Sequence, residues 1–331
     1  MEKIKLAIVG ATGLVGQTFL HILEEQNNSN FEIQLFASKK SKGKKLKINH
    51  KYYIVHELDE NSFDNVTHAC FFTNEDVAKK YIPIALKKNV KVIDNSSAFR
   101  NENDVPLIAY YANDYLLNKE NTLISNPNCC VIQSIVPIYA LRKYNIKKII
   151  VNTYQSVSGS GKKGIDDLIR CRKGLMPIFY QSDISFTCIP LIGKENINHI
   201  STEEEKIMNE YKKILNNSNI EIYATCVRVP VMFSHGVSCQ IEFSNDFDIN
   251  DIIKDLENIP NVIYCDSIVP TSILSCKNDK IYIGRLRKQH NNLLFYCVAD
   301  NVRVGAANNS YLLLTKLIEL EEENERKSKE N

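Results

Sequence analysis

Residues 5–16 read Lys5-Leu6-Ala7-Ile8-Val9-Gly10-Ala11-Thr12-Gly13-Leu14-Val15-Gly16, a short apolar run followed by glycines at every third position. Such a run suits a buried parallel strand, and Phe19, Leu20, Ile22 and Leu23 then supply the apolar face of a helix. Glycine is needed where a backbone turns sharply beside a pyrophosphate, whose charge the helix N-terminus favours. A plain strand-to-helix turn carries the same pattern, so the motif alone leaves both readings open. The alternation continues with a strand at Phe31–Ala37, a polar Lys-rich loop, a strand at Ala69–Phe72, a helix at Asp76–Lys88 and a strand at Val90–Asp94. This order predicts a doubly wound, Rossmann-type α/β domain.

Past residue 128 the character changes. Strand-like segments at Lys148–Tyr154, Ile220–Val231, Val237–Phe243, Lys280–Arg287 and Leu293–Val298 are longer and closer together. They predict an α+β domain with a mixed, largely antiparallel sheet. Thr202–Leu215 opens on Thr-Glu-Glu-Glu, which suits the cap and acidic first turn of a helix. The expected division is 1–127 and 128–300, with a C-terminal helical segment, 301–331, packing back on the first domain. The charged tail from Glu321 is expected to fray.

The chain has 331 residues, 44% hydrophobic and 24% charged, the composition of a globular protein of about two domains. Its net charge of +2 lacks the basic excess of a nucleic-acid binder. No apolar run is long enough to span a membrane, and Met1–Val9 lacks the pattern of a signal peptide. A cytoplasmic protein is the expectation. The ten cysteines include no C-x-x-C and no zinc-ligand spacing, so neither a disulfide framework nor a metal site is expected. Eight of them, among them Cys188 and Cys276, lie among apolar residues and read as small buried side chains.

Four stretches carry chemistry. After the second strand, Ser38-Lys39-Lys40-Ser41 stands where an NAD-preferring site usually places an acid for the ribose hydroxyl. Hydroxyls and ammonium groups suit a 2′-phosphate, which favours NADP, although lysine runs usually form solvated faces. Asn126-Pro127-Asn128-Cys129-Cys130 precedes a helix expected at Val131–Leu141. A thiol there would have its thiolate stabilised by the helix dipole, although most loop cysteines are inert. Arg228 and His235, seven residues apart, offer a bidentate carboxylate clamp and a proton carrier, while a lone histidine is usually structural. Gln155 lies at a strand end, the usual place for ligands. The following Ser158-Gly159-Ser160-Gly161-Lys162 fails as a P-loop, because Lys163-Gly164 follows where Ser or Thr is required, and this disfavours a nucleotide hydrolase.

Nine segments in register over nearly the whole chain resemble the aspartate-β-semialdehyde dehydrogenase family: VGATGLVGQTF (9–19), FASKKSKGKKL (36–46), VIDNSSAFR (92–100), SNPNCC (125–130), VNTYQSVSGSGKKGIDDL (151–168), TEEEK (202–206), RVPVMFSH (228–235), IGRLRK (283–288) and DNVRVGAA (300–307). The resemblance implies that Cys129 is the acyl-accepting nucleophile and His235 the acid/base. It implies that Gln155 and Arg228 bind substrate and that Glu203 meets its amino group. Arg100, Lys206 and Asn128 match the pocket for the departing phosphate. Gly10, Thr12, Gly13, Leu14, Val15, Ser38, Lys40, Ser41, Ser158, Gly159 and Asn301 match positions lining NADP(H). The implied reaction is reductive dephosphorylation of L-aspartyl-4-phosphate in lysine, threonine and methionine biosynthesis, by a homodimer or tetramer.

The chain departs from the family pattern at four places. Asn74-Glu75-Asp76 replaces a Gly-Gly loop, Tyr110-Tyr111 a Pro-Glu pair, Cys130 a Ser or Thr, and Gly236-Val237 an acid soon after the histidine. Two competing expectations stand beside the main one: an N-acetyl-glutamyl-phosphate-type reductase, and a non-catalytic NADP-binding sensor.

Overall fold

The computed structural model describes residues 3–27 and 30–330. The chain divides into two compact units, 1–127 with 306–331, and 128–305.

In the first unit the elements are β1 (Ile4–Val9), α1 (Leu14–Glu25), β2 (Phe31–Ala37), β3 (Lys45–Ile48), β4 (Lys51–Glu57), β5 (His68–Phe71), α2 (Glu75–Lys87), β6 (Lys91–Asp94), α3 (Tyr110–Asn113) and β7 (Leu123–Ser125). They form a seven-stranded sheet in the order β3-β4-β2-β1-β5-β6-β7, parallel except where β3 runs against β4. Side chains of β1 alternate between its two faces. Leu6 and Ile8 join a core with Phe19, Leu20 and Leu23 of α1, whereas Ala7 and Val9 join one with Ala78, Ile82 and Ala85 of α2. The α/β expectation therefore holds. The β3–β4 hairpin was not expected from the Lys-rich loop. Its two-residue turn is Asn49-His50, both left-handed (φ 47° and 63°), and without the usual Asn-Gly pair the turn carried no signal.

The second unit comprises α4 (Cys129–Ala140), β8 (Ile146–Gln155), α5 (Gly161–Arg172), α6 (Thr202–Leu215), β9 (Glu221–Arg228), β10 (His235–Phe243), α7 (Ile249–Glu257), β11 (Val262–Cys265), α8 (Ser272–Ser275), β12 (Ile281–Gln289) and β13 (Asn292–Ala299). Its six-stranded sheet, β11-β12-β13-β10-β8-β9, is antiparallel at its centre and parallel at both edges. The mixed sheet agrees with the expectation. Alternation is strict along β8: Ile149, Val151, Thr153 and Gln155 are buried, while Tyr154 is exposed. Helices α4 and α6 pack on this sheet. Ser201, rather than Thr202, caps α6, in a capping box with Glu204.

A π-helical turn at Arg303–Asn308 leads into α9 (Asn309–Glu330). The segment that joins the first unit starts at Ala306, five residues later than expected, because Asn301 is tied by hydrogen bonds to Ser156, Ser158 and Ser234. Helix α9 runs past Glu321 to Glu330, and Asn331 lies outside the described residues. The Glu321 carboxylate accepts hydrogen bonds from His68 Nε2 (3.1 Å) and is paired with Lys91. All ten cysteines are free. Contrary to expectation Cys188 is exposed and Cys276 half-buried, since both sit in irregular segments outside the sheets.

Burial works to raise the Glu321 carboxyl, but the bonds from His68 and Lys91 outweigh it and hold the group below the usual carboxylate range. A depressed carboxyl stabilises the fold above its unfolded value and loses that contribution as pH falls through the folded one. Glu321→Gln is therefore expected to cost about 1–2 kcal/mol at pH 7. The gap from wild type should close at acid pH in urea unfolding curves.

Candidate active site

Three strand ends of the second unit meet at one edge of its sheet. Gln155 closes β8, Arg228 closes β9 and is its register partner, and His235 opens β10, whose Gly236 stands opposite Tyr154. Gln155, Arg228 and His235 are 1%, 5% and 0% exposed, so all three belong to the buried face. The Arg228 guanidinium donates to the Ser156 carbonyl at 2.7 Å. A Cβ at Gly159 would stand 2.7 Å from Arg228 Nη1 and 3.1 Å from His235 Nε2, so only glycine lets both side chains come this close. A cavity of about 250 Å³ beside Arg228 is lined also by Ser160, Tyr180, Ile189, Leu191 and Gly193.

Cys129 is the first residue of α4, and the Asn128 side chain caps the helix by accepting the Cys130 N–H at 2.9 Å. The Asn128 backbone N–H donates to the buried Glu210 carboxyl (2.6 Å), and its side-chain amide donates to Glu203 Oε1 (2.9 Å). Gln155 Nε2 donates to the same Glu203 oxygen at 3.2 Å. Among the three acids of TEEEK, Glu204 is spent on the capping box and on the Cys226 N–H, and Glu205 is exposed. Glu203 is the one that faces these groups. Lys206, half-buried, lies one turn further along the same face of α6.

A hydrogen bond from the Cys130 thiol, aided by the nearby His235 ring and Arg228 guanidinium, holds the Cys129 thiol well below the usual thiol range, against the opposing effect of burial. Burial and the same bond push Cys130 well above that range. Cys226, also buried, is pushed up to about 12. The site therefore has one activated thiol among inert ones. One ligand atom each from Cys129, Cys130 and His235 lie within 4.8 Å of one another.

The imidazole of His235 is fixed from behind. Its Nδ1 accepts the Ser156 N–H (3.0 Å), so the neutral ring in this contact carries its proton on Nε2. Nε2 itself is buried with no hydrogen-bond partner among the described residues. The preceding Ser234 is left-handed (φ 71°), and its N–H is held by Asn301 Oδ1 at 2.9 Å.

In the first unit, Gly10 is left-handed (φ 87°), and a Cβ there would stand 2.3 Å from the Phe72 carbonyl oxygen. Gly13 begins α1 with no side-chain cap, which leaves the helix N-terminal amides, from Leu14 and Val15 onward, for an external anion. Thr12 Oγ1 donates to Ser41 Oγ (3.2 Å), joining the loops after β1 and β2. Ser38 precedes a tight turn over Lys39–Ser41, in which Lys39 and Lys40 are exposed. The acid beside this loop, Glu57, is paired with Lys42 at 3.3 Å. Asn74 caps α2 through the Val77 N–H, so that departure from the family pattern serves to start a helix. Arg100, also in this unit, is buried and donates to the Asn95 carbonyl.

Sequence reasoning singled out Cys129, Asn128, Gln155, Glu203, Arg228 and His235, and the second unit brings them together. It missed Glu210 and Ser156. Glu210 stands seven residues after Glu203 on the same helix face, a spacing that could have signalled it. Ser156 had no signal beyond its place after Gln155.

The molecule is thus an α/β protein with a dinucleotide-type turn in one unit and an activated thiol, an imidazole and a guanidinium in the other. Family models described as the semialdehyde dehydrogenase NAD binding domain and the semialdehyde dehydrogenase dimerisation domain match residues 5–118 and 135–304. Aspartate-semialdehyde dehydrogenases of Aquifex aeolicus and Rickettsia bellii are 38% and 36% identical, covering 95% and 96% of this chain and 98% of each relative. A crystal structure of aspartate semialdehyde dehydrogenase II from Vibrio cholerae, complexed with ASA, is 33% identical with a TM-score of 0.89, over 96% of this chain and 99% of that one. The chain belongs to the semialdehyde dehydrogenase family. No helix among the described residues is long and apolar enough to cross a membrane.

Replacing Cys130 by Ala removes the hydrogen bond that most favours the Cys129 thiolate. The pH dependence of Cys129 alkylation by iodoacetamide, followed by peptide mass spectrometry, should move to higher pH in Cys130→Ala. In wild type Cys129 should be modified well ahead of Cys130.

Proposed function

We propose that this protein is an aspartate-semialdehyde dehydrogenase that catalyses reductive dephosphorylation of L-aspartyl-4-phosphate to the 4-semialdehyde and phosphate. The observation that carries the reading is the activated Cys129 thiol beside His235, Gln155, Arg228 and Glu203. Arg228 clamps the α-carboxylate, and Glu203, held by Gln155 and Asn128, receives the substrate amino group. The Cys129 thiolate attacks the acyl carbon and displaces phosphate, leaving an acyl thioester. Lys206 and Asn128 serve the leaving phosphate, and a phosphate-binding role for Arg100 rests on family likeness alone. A reduced nicotinamide, when bound, supplies the hydride equivalents for reduction of this acyl group. His235 presents Nε2 to the oxygen of the resulting thiohemiacetal and manages its proton, and collapse returns the Cys129 thiolate.

The residues of the first unit fit such a cofactor, since the cradle at Gly10 has no room for a side chain and the start of α1 is uncapped. Gly10, Thr12, Gly13, Leu14 and Val15 would hold its pyrophosphate. NADP(H) is favoured by Ser38, Lys40 and Ser41, whose hydroxyls and ammonium suit a 2′-phosphate, with the nearby Glu57 paired to Lys42. Ser158, Gly159 and Asn301 serve the same cofactor by family likeness. A homodimer would use the open face of the six-stranded sheet, where Tyr154, Tyr223 and Tyr296 stand exposed or half-buried. A tetramer needs a second interface as well. Turnover in the cytoplasm is the natural setting for this chemistry.

The test is reduction of NADP⁺ by aspartate semialdehyde with and without phosphate. Phosphate-dependent turnover is expected, with a loss of at least about 10³-fold in Cys129→Ser. Preference for N-acetyl-glutamate semialdehyde would assign the other reductase class, and cofactor binding without turnover would leave a sensor. Lys40→Glu should lower kcat/KM for NADPH about tenfold or more while changing that for NADH far less.

A further inference from the structure

Two groups of one residue reach the same nitrogen of His235. The Ser156 N–H stands 3.0 Å from Nδ1, and the Ser156 hydroxyl oxygen stands 3.0 Å from it as well. A backbone N–H can only donate, whereas a hydroxyl can donate or accept. The direction of the hydroxyl is set behind it. Asn301 Oδ1 accepts the Ser234 N–H at 2.9 Å, which fixes that atom as the amide oxygen. As an acceptor only, it can take the Ser156 hydroxyl proton at 3.1 Å and the Ser158 proton at 3.0 Å, and the two hydroxyl oxygens are themselves 3.0 Å apart. With its proton on Asn301, the Ser156 oxygen turns a lone pair toward Nδ1. All of these side chains are buried, Ser156 and His235 completely, so water offers no substitute.

The consequence concerns the chemistry at Nε2. When Nδ1 accepts the backbone N–H, the neutral ring bears its proton on Nε2 and can only donate there. For Nε2 to take up a proton, Nδ1 must carry one, and that proton needs an acceptor. We propose that Ser156 is a positioning residue whose hydroxyl accepts a proton on Nδ1 of His235, and so lets Nε2 act as both base and acid. The inference rests on the acid/base role given to His235 above. The charged and titratable groups facing the ring are Cys129 and Cys130 from α4 and Arg228 from β9, with Glu203 of α6 beyond them. None of them is placed at Nδ1, where Ser156 supplies both contacts.

Full-length protein labelled with ¹⁵N-histidine tests this directly. Its ring ¹⁵N shifts report which nitrogen carries a proton, and a His235→Asn sample assigns the signal. In Ser156→Ala the fraction of neutral rings that carry their proton on Nδ1 should fall at least about tenfold. Ser158→Ala removes one neighbour of the Ser156 hydroxyl (3.0 Å) but leaves it Asn301 as acceptor, so this fraction should change far less than in Ser156→Ala. An unchanged fraction in Ser156→Ala would overturn the proposal, as would an equal fall in Ser158→Ala. Should Ser156→Ala not fold, the near-isosteric pair Ser156→Thr and Ser156→Val makes the same comparison, with the fraction kept only in the former. The readout needs no turnover, so absence of activity toward aspartate semialdehyde would count against the function and leave this comparison intact.

Discussion

The second unit depends on how α4 begins. Asn128 closes three hydrogen bonds there: its side-chain oxygen caps the helix, its amide group holds Glu203, and its backbone N–H is taken by Glu210. A helix N-terminus exposes unpaired N–H groups and a partial positive charge, which is what a thiolate at Cys129 requires. The buried Glu210 carboxyl would be costly without such a donor. With it, Glu210 ties α6 to α4 and sets the height at which Glu203 enters the site. The same residue that orients the thiol therefore orients the acid.

Register does the remaining positioning. β8 and β9 run parallel with Gln155 beside Arg228, while β10 runs against β8 and starts at His235. A slip of one residue in either pairing would turn a functional side chain from the buried face to the open one. The buried alternation of Ile149, Val151 and Thr153 makes such a slip expensive, so ordinary core residues hold the amide, guanidinium and imidazole in place.

How much of this could be read from the chain follows from what each feature depends on. The strand-turn-helix at residues 4–25 and the helix at Thr202–Leu215 were legible because periodicity and glycine chemistry are local. So was the placement of Cys129 at a helix start, which needs only a capping Asn and an apolar run. The β3–β4 hairpin was not legible, since Asn49-His50 lacks the glycine that usually marks its turn. The anchoring of α9 at Glu321 uses Lys91 and His68, more than 200 residues away, and no local propensity reports them. Glu210 and Ser156 were missed because their work is done on other residues, Asn128 and His235, and only the fold brings each pair together.

The departures from the family pattern are absorbed by local structure. Asn74 starts a helix, and Glu75 accepts from Lys79 and Ser97 within the first unit. At Gly236-Val237 an acid would be out of place: a Cβ at Gly236 would collide with the Tyr296 hydroxyl, and Val237 is fully buried on the sheet. Cys130 is the departure with a chemical consequence. A hydroxyl at this position, the usual choice, would donate a stronger hydrogen bond to Cys129 than a thiol does. The Cys129 thiolate therefore leans more on the helix terminus, His235 and Arg228 than it would beside a serine. That dependence makes the placing of His235 by Ser156 and Asn301 matter more for this chain than its sequence motif alone conveys.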